Sequence, residues 1–127
     1  MKVFIVEDSE VVRERLKAML TEITEIEIIG EAENNIDATD LIKKLKPDAV
    51  ILDIRLSSGS GIEVLQDIKK EKPAPLVIML TNYPYPQYRK KCMGVGADFF
   101  FDKSTEFNKI TEVLKKNISQ IPESKIG

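Results

Sequence analysis

Two carboxylates stand side by side at Glu7 and Asp8, directly after the apolar run Val3-Phe4-Ile5-Val6. Like charges at that spacing repel and push one pKa up, so a fold that keeps them together must supply a cation. A third acid, Asp53, ends a second apolar run in the stretch AVILDIRL. Thr81 and Asn82 end a third, LVIMLTN, and Lys103 follows a fourth in FFFDKS. Three carboxylates without a histidine anywhere in the chain form a hard, all-oxygen donor set. Mg2+ suits such a set, with Mn2+ as the alternative, because it takes one or two carboxylates and keeps several waters. A carboxylate is also a nucleophile able to form an acyl phosphate, which opens two roles to Asp53, ligand and phosphoacceptor. The Thr81 hydroxyl and the Lys103 ammonium are donors suited to phosphoryl oxygens.

These residues meet only if the runs that carry them are strands of one sheet. The runs are Val3–Val6, Ile26–Ala32, Ala49–Leu52, Leu76–Leu80 and Phe99–Phe101. The first, third and fourth do not alternate between apolar and polar residues, so both of their faces are buried, as in a parallel sheet covered by helices. Between the runs the apolar period becomes helical: Val12, Leu16, Met19, Leu20 and Ile23; then Ala38, Leu41, Ile42 and Leu45; then Ile62, Leu65 and Ile68. The last such stretch holds Phe107, Ile110, Val113, Leu114, Ile118 and Ile121. Tyr83-Pro84-Tyr85-Pro86 delays the fourth helix, which runs to about Gly94. Ser9 and Ser104 are the expected helix N-caps, and Pro47 and Pro73 the stops before the third and fourth strands. Gly59-Ser60-Gly61 reads as a turn into the third helix, not a phosphate loop. The expectation is an α/β (βα)5 chain of five strands and five helices in strict alternation, with right-handed crossovers. In open α/β sheets ligands bind outside the carboxyl ends of the strands, so the acids, the hydroxyl and the ammonium arrive at one edge from four strands.

Composition narrows the function classes. The chain has 127 residues, 19 Lys and Arg against 21 Asp and Glu, one cysteine and no histidine. This is one domain with room for a core. Ser-His-Asp and Cys-His catalysis and ordinary His/Cys zinc sites are excluded, as is an intrachain disulfide. The slight acidic balance argues against direct nucleic-acid binding; Arg89-Lys90-Lys91 is too short a basic cluster to reverse it. No run approaches the ~18 apolar residues of a membrane span, and the four-residue run before Glu7 is not a signal peptide. A cytoplasmic protein is expected. Cys92 reads as a small helix residue.

Taken together, Glu7-Asp8, Asp53, Thr81 and Lys103 resemble the receiver domain of two-component response regulators, in particular its stand-alone, chemotaxis-regulator-like form. The resemblance covers about residues 1–120 and leaves 121–127 as a short tail. It implies a doubly wound, flavodoxin-like sheet in the order 2-1-3-4-5. It also implies a phosphoacceptor switch, not an enzyme with a separate substrate. A histidine kinase or phosphotransfer protein would pass its phosphoryl group to Asp53, with Mg2+ held by Glu7, Asp8, Asp53 and the backbone carbonyl of Arg55. Thr81 and Lys103 would bind the phosphoryl group, and Phe100 would hold the aromatic switch position. On that likeness, phosphorylation draws Thr81 toward the phosphoryl group and lets Phe100 turn inward, altering the surface of the fourth helix, fifth strand and fifth helix.

Several positions depart from the family pattern. Ser104 stands where a proline usually follows the lysine, so a cis peptide is not expected there. Phe100 has no hydroxyl to donate, and Asn82, in place of a small residue, narrows access for small phosphodonors. Arg55 and Tyr83 match the positions that flank the path of the hydrolytic water; neither orients water well, so a slow autodephosphorylation is expected. Two rival readings remain. An Mg2+-dependent phosphohydrolase of the haloacid-dehalogenase type needs a second acid two residues after its nucleophile, and Arg55 stands there. A pseudo-receiver would bind partners without phosphorylation and would not need the complete acid set. The chain leaves no room for an effector domain, so its output is expected to be a contact with an unidentified protein target, as monomer or weak homodimer.

Overall fold

The computed structural model describes residues 1–118. The expected tail and Ile121 lie outside the described residues. The elements follow in the order β1 (Lys2–Val6), α1 (Glu10–Thr21), β2 (Glu27–Ala32), α2 (Asn35–Leu45), β3 (Ala49–Leu52), β4 (Arg55–Leu56) and β5 (Gly59–Ser60). Then come α3 (Gly61–Ile68), β6 (Leu76–Thr81), α4 (Pro86–Val95), β7 (Phe99–Asp102) and α5 (Lys109–Ile118). Five strands form one parallel sheet in the order β2-β1-β3-β6-β7. With the β4–β5 ribbon set aside, this is the expected 2-1-3-4-5.

The sheet is buried on both faces because successive side chains of a strand point to opposite sides. Val3, Ile5, Ala49, Ile51, Ile78, Leu80 and Phe101 pack with Leu16 and Leu20 of α1 and Ile110 and Leu114 of α5. Their neighbours Phe4, Val6, Val50, Leu52, Val77, Met79 and Phe100 pack with α2, α3 and α4 through Ala38, Ile42, Val64, Leu65, Ile68 and Cys92. An unbroken apolar run therefore feeds two cores at once, which is why it does not alternate.

Three local expectations need correction. Strict alternation is interrupted by a two-residue antiparallel ribbon, Arg55–Leu56 against Gly59–Ser60. It has no apolar run to announce it and is anchored from outside, by Ser57 donating its N–H and hydroxyl to the Glu33 carbonyl at 3.4 and 3.2 Å. Ser104 does not cap α5, which begins at Lys109. The Asp102 carboxylate captures both the backbone N–H and the hydroxyl of Ser104, at 2.8 and 2.7 Å, in a turn. Ile23 and Phe107 are buried but lie outside the helices whose period they continue. Ser9 caps α1 as expected, accepting from Val12 N–H at 3.3 Å, and α3 is capped by Ser60, in the segment expected only as a turn. The one cis peptide among the described residues is Lys72–Pro73, so the Lys103–Ser104 bond is trans.

Two glycines give opposite tests of this packing. A Cβ on Gly61 would lie 1.7 Å from the Asp53 carbonyl oxygen, whereas one on Gly94 meets nothing within 4 Å. Gly61→Ala must displace backbone beside Asp53 and is expected to cost about 1–3 kcal/mol or more, the range for forced backbone shifts. Gly94→Ala, inside α4, is expected to stabilise by roughly 0.5–1 kcal/mol by removing a helix glycine. Thermal or urea denaturation of the two variants checks both signs.

Candidate functional site

The site is built by register. Val6 pairs with Leu52 at the ends of β1 and β3, and Asp53 N–H donates to the Val6 carbonyl at 3.0 Å. Glu7 and Asp53 therefore leave the sheet side by side. On the other flank Lys103 N–H donates to the Thr81 carbonyl at 2.9 Å, which joins the ends of β6 and β7. Glu7, Asp53, Thr81 and Lys103 are all buried, at 1, 6, 0 and 9% exposure, while Asp8 faces outward. One carboxylate oxygen from each of Glu7, Asp8 and Asp53 lies within 4.8 Å of the others.

Lys103 holds the centre. Its ammonium donates to Glu7 Oε1 at 2.6 Å and to Asp53 Oδ2 at 2.9 Å. The cation demanded by adjacent acids is thus in part an internal one, whereas the residue types alone had assigned Lys103 only to phosphoryl oxygens. Asp53 Oδ1 accepts from Ile54 N–H at 2.7 Å, and Glu7 Oε2 from Ser9 N–H at 3.0 Å. Burial raises the Glu7 carboxyl pKa, and the hydrogen bonds from Lys103 and Ser9 pull against that rise without cancelling it. Burial alone would lower the Lys103 pKa, but hydrogen bonds to Glu7 and Asp53 outweigh it and hold the ammonium charged. Three carboxylates against one ammonium leave two negative charges in an all-oxygen set. That charge and those donors fit a divalent hard cation.

The rim is aromatic. The Arg55 guanidinium lies 3.9 Å from the Tyr83 ring centroid, a cation–π contact worth about 0.5–1 kcal/mol at an exposed position. Tyr83 is followed by Tyr85 at 6.3 Å, and Tyr85 by Tyr88 at 5.7 Å. Asn82 is exposed beside them. Thr81 Oγ1 accepts from Tyr83 N–H at 2.9 Å, which leaves the hydroxyl proton to donate elsewhere. Phe100 is already inside the core, 3% exposed, with the Arg89 guanidinium 4.8 Å above its ring.

One residue at the site escaped the sequence reading. Arg13 is 8% exposed and donates from Nη1 to the Glu7 carbonyl at 2.8 Å. The signal was present: the buried stripe of α1 is Arg13, Leu16 and Leu20, with a charge where an apolar side chain belongs.

Comparison with known proteins agrees with this geometry. A family model described as the response regulator receiver domain matches residues 3–115. The sensory transduction protein LytT of Bacillus anthracis is 38% identical over 116 residues, 91% of this chain and 46% of that protein. The chain spans about half the length of the first curated relatives it matches. The response regulator domain of Thermotoga maritima CheB superposes with a TM-score of 0.81 at 28% identity, covering 94% of each chain. A chain of the CheX-CheY-BeF3-Mg+2 complex from Borrelia burgdorferi gives a TM-score of 0.77 at 27% identity over 90% of this chain and 89% of that one.

Removing the central ammonium tests the electrostatics. Lys103→Met leaves Glu7 and Asp53 buried without their counter-ion, a change worth roughly 3–5 kcal/mol in buried pairs. A carboxyl whose folded pKa is raised contributes stability at low pH that is lost as pH rises through that pKa. The deficit of the variant is therefore expected to be full at neutral pH and to shrink on acidification. Urea denaturation of both proteins across a pH series measures it.

Proposed function

The chain belongs to the response regulator receiver domain family, and on that premise we propose that it is a phosphoacceptor switch whose acceptor is Asp53. The observation that carries this reading is the Asp53 carboxylate held between Lys103 and the Ile54 N–H, beside Glu7 and Asp8, at the carboxyl edge of the sheet. The donor is a phosphohistidine of a kinase or phosphotransfer protein. A carboxylate oxygen of Asp53 attacks phosphorus, the O–P bond forms, and the N–P bond breaks with its electron pair staying on the departing imidazole.

Each residue has a physical task in that transfer. Lys103 fixes the carboxylate and can turn toward the incoming phosphoryl oxygens, and the free proton of Thr81, at the end of the neighbouring strand, is a second donor. Glu7, Asp8, Asp53 and the Arg55 carbonyl would hold Mg2+, which supplies charge neutralisation for the transferring group when bound. Arg55, two residues after Asp53, is exposed and engaged with Tyr83, so the position holds no general acid for a phosphohydrolase. The Arg55–Tyr83 stack, with Asn82 outside it, shields the acceptor from water and gives a long-lived phosphoryl group. The output is a protein–protein surface on α4, β7 and α5. Phe100 is buried there under Arg89, so the inward arrangement does not wait for phosphorylation.

The acceptor is tested by incubation with Mg2+ and a small phosphodonor. One labile adduct of about 80 Da is expected, as for an acyl phosphate, and none on Asp53→Asn. Asp8→Asn should weaken Mg2+ binding more than Glu112→Gln does. Labelling of the Asp53 variant at the wild-type rate would remove the assignment. For lifetime, Arg55→Asn and Tyr83→Glu should each speed decay of the phosphorylated protein about tenfold, equivalent to ~1.4 kcal/mol of lost shielding. Unchanged decay in both would show that the stack guards nothing.

A further inference from the structure

We propose that Arg13 is a positioning residue that sets the geometry of the acidic pair, an inference that rests on the phosphoacceptor reading. The Glu7 carbonyl and the Asp8 N–H belong to one planar peptide unit. Arg13 Nη1 fixes that plane by donating to the carbonyl at 2.8 Å, and with it the direction in which Asp8 leaves the chain. The same guanidinium reaches Glu33 Oε1 from Nη2 at 3.2 Å. Glu33 in turn accepts at its carbonyl from the N–H and hydroxyl of Ser57, in the turn of the β4–β5 ribbon. One side chain thus ties the loop carrying Glu7 and Asp8 to the segment that follows Asp53. Glu7 is held at its carbonyl by Arg13, at its carboxylate by Ser9 N–H and the Lys103 ammonium, and at its N–H by the Ala32 carbonyl.

Packing alone does not explain an arginine at this position. Arg13 occupies the buried stripe of α1, where leucine or methionine would fill the space without desolvating a charge. Its Nε is buried with no hydrogen-bond partner, and the nearest acid oxygen, Glu31 Oε1, is 3.9 Å away. The fork spends its two Nη groups on Glu7 and Glu33 and leaves Nε unsatisfied. A residue serving stability only would not carry that cost.

The test compares Arg13→Met, Arg13→Lys and Glu33→Gln with a control of purely structural effect. Lys69→Met is that control: Lys69 ties α3 to Pro75 and Asp98 at the opposite edge of the sheet. Mg2+ affinity is measured by calorimetric titration, stability by thermal melting, and phosphorylation rate by mass shift with a small phosphodonor at low and saturating Mg2+. Arg13→Met should raise the Mg2+ dissociation constant about tenfold, which is ~1.4 kcal/mol. Its phosphorylation rate should recover at saturating Mg2+. Arg13→Lys and Glu33→Gln should fall between Arg13→Met and wild type. Lys69→Met should melt earlier with wild-type Mg2+ affinity.

Wild-type affinity in the Arg13 and Glu33 variants overturns the proposal while leaving the phosphoacceptor reading intact. So does an equal loss of affinity in Lys69→Met at matched melting temperature. If Arg13→Met fails to fold, Arg13→Lys and Glu33→Gln decide the matter alone. A wild-type protein that takes up no Mg2+ sinks both readings.

Discussion

Everything at the carboxyl edge of the sheet depends on one ammonium shared by two buried carboxylates. Lys103 sits 2.6 Å from Glu7 and 2.9 Å from Asp53. Burying either carboxylate without a partner would carry a heavy desolvation cost. With Lys103 between them, both are hydrogen-bonded under nearly complete burial, and Asp8, being exposed, adds no third buried carboxylate. The arrangement is deliberately short of neutral. Two negative charges remain at a place where every donor is oxygen, which is a poor resting state and a good binding state.

The sheet makes that arrangement possible at low entropic cost. Parallel register places Val6 beside Leu52 and Thr81 beside Asp102, so four loops open at nearly the same height. Glu7, Asp53 and Lys103 are the first residues past the ends of β1, β3 and β7, and Thr81 is the last residue of β6. Each has a rigid strand on one side and a short loop on the other. This is how the fold combines positional accuracy with freedom to move.

Much of this was legible from residue order, and the failures share a cause. The five apolar runs, the non-alternating character of the first, third and fourth, and the residue types at their ends can be read within single segments, and β1, β3, β6 and β7 appear where those runs place them. Ser104, Arg13 and the β4–β5 ribbon do not. Ser104 looks like a cap, but Asp102, two residues earlier, competes for it. The ribbon is pinned by Glu33, more than twenty residues away, and its sequence holds no period of its own. Arg13 was not singled out, and its partner is a backbone carbonyl, which no residue type can announce. Lys103 was identified as a cation at the site, yet its dual grip on Glu7 and Asp53 required three-dimensional register.

The two cores on opposite faces of the sheet have a consequence for how such a chain can change over generations. Val50 and Leu52 belong to one core and Ala49 and Ile51 to the other, although they are neighbours in the same strand. A substitution in the α1–α5 layer meets a different set of side chains from one in the α2–α3–α4 layer, and helix positions on opposite faces, being distant and without shared partners, combine nearly additively. Each layer can therefore drift, repack and acquire a new outer surface while the other keeps the strands in register. A molecule built this way can exchange its conversational partners one side at a time.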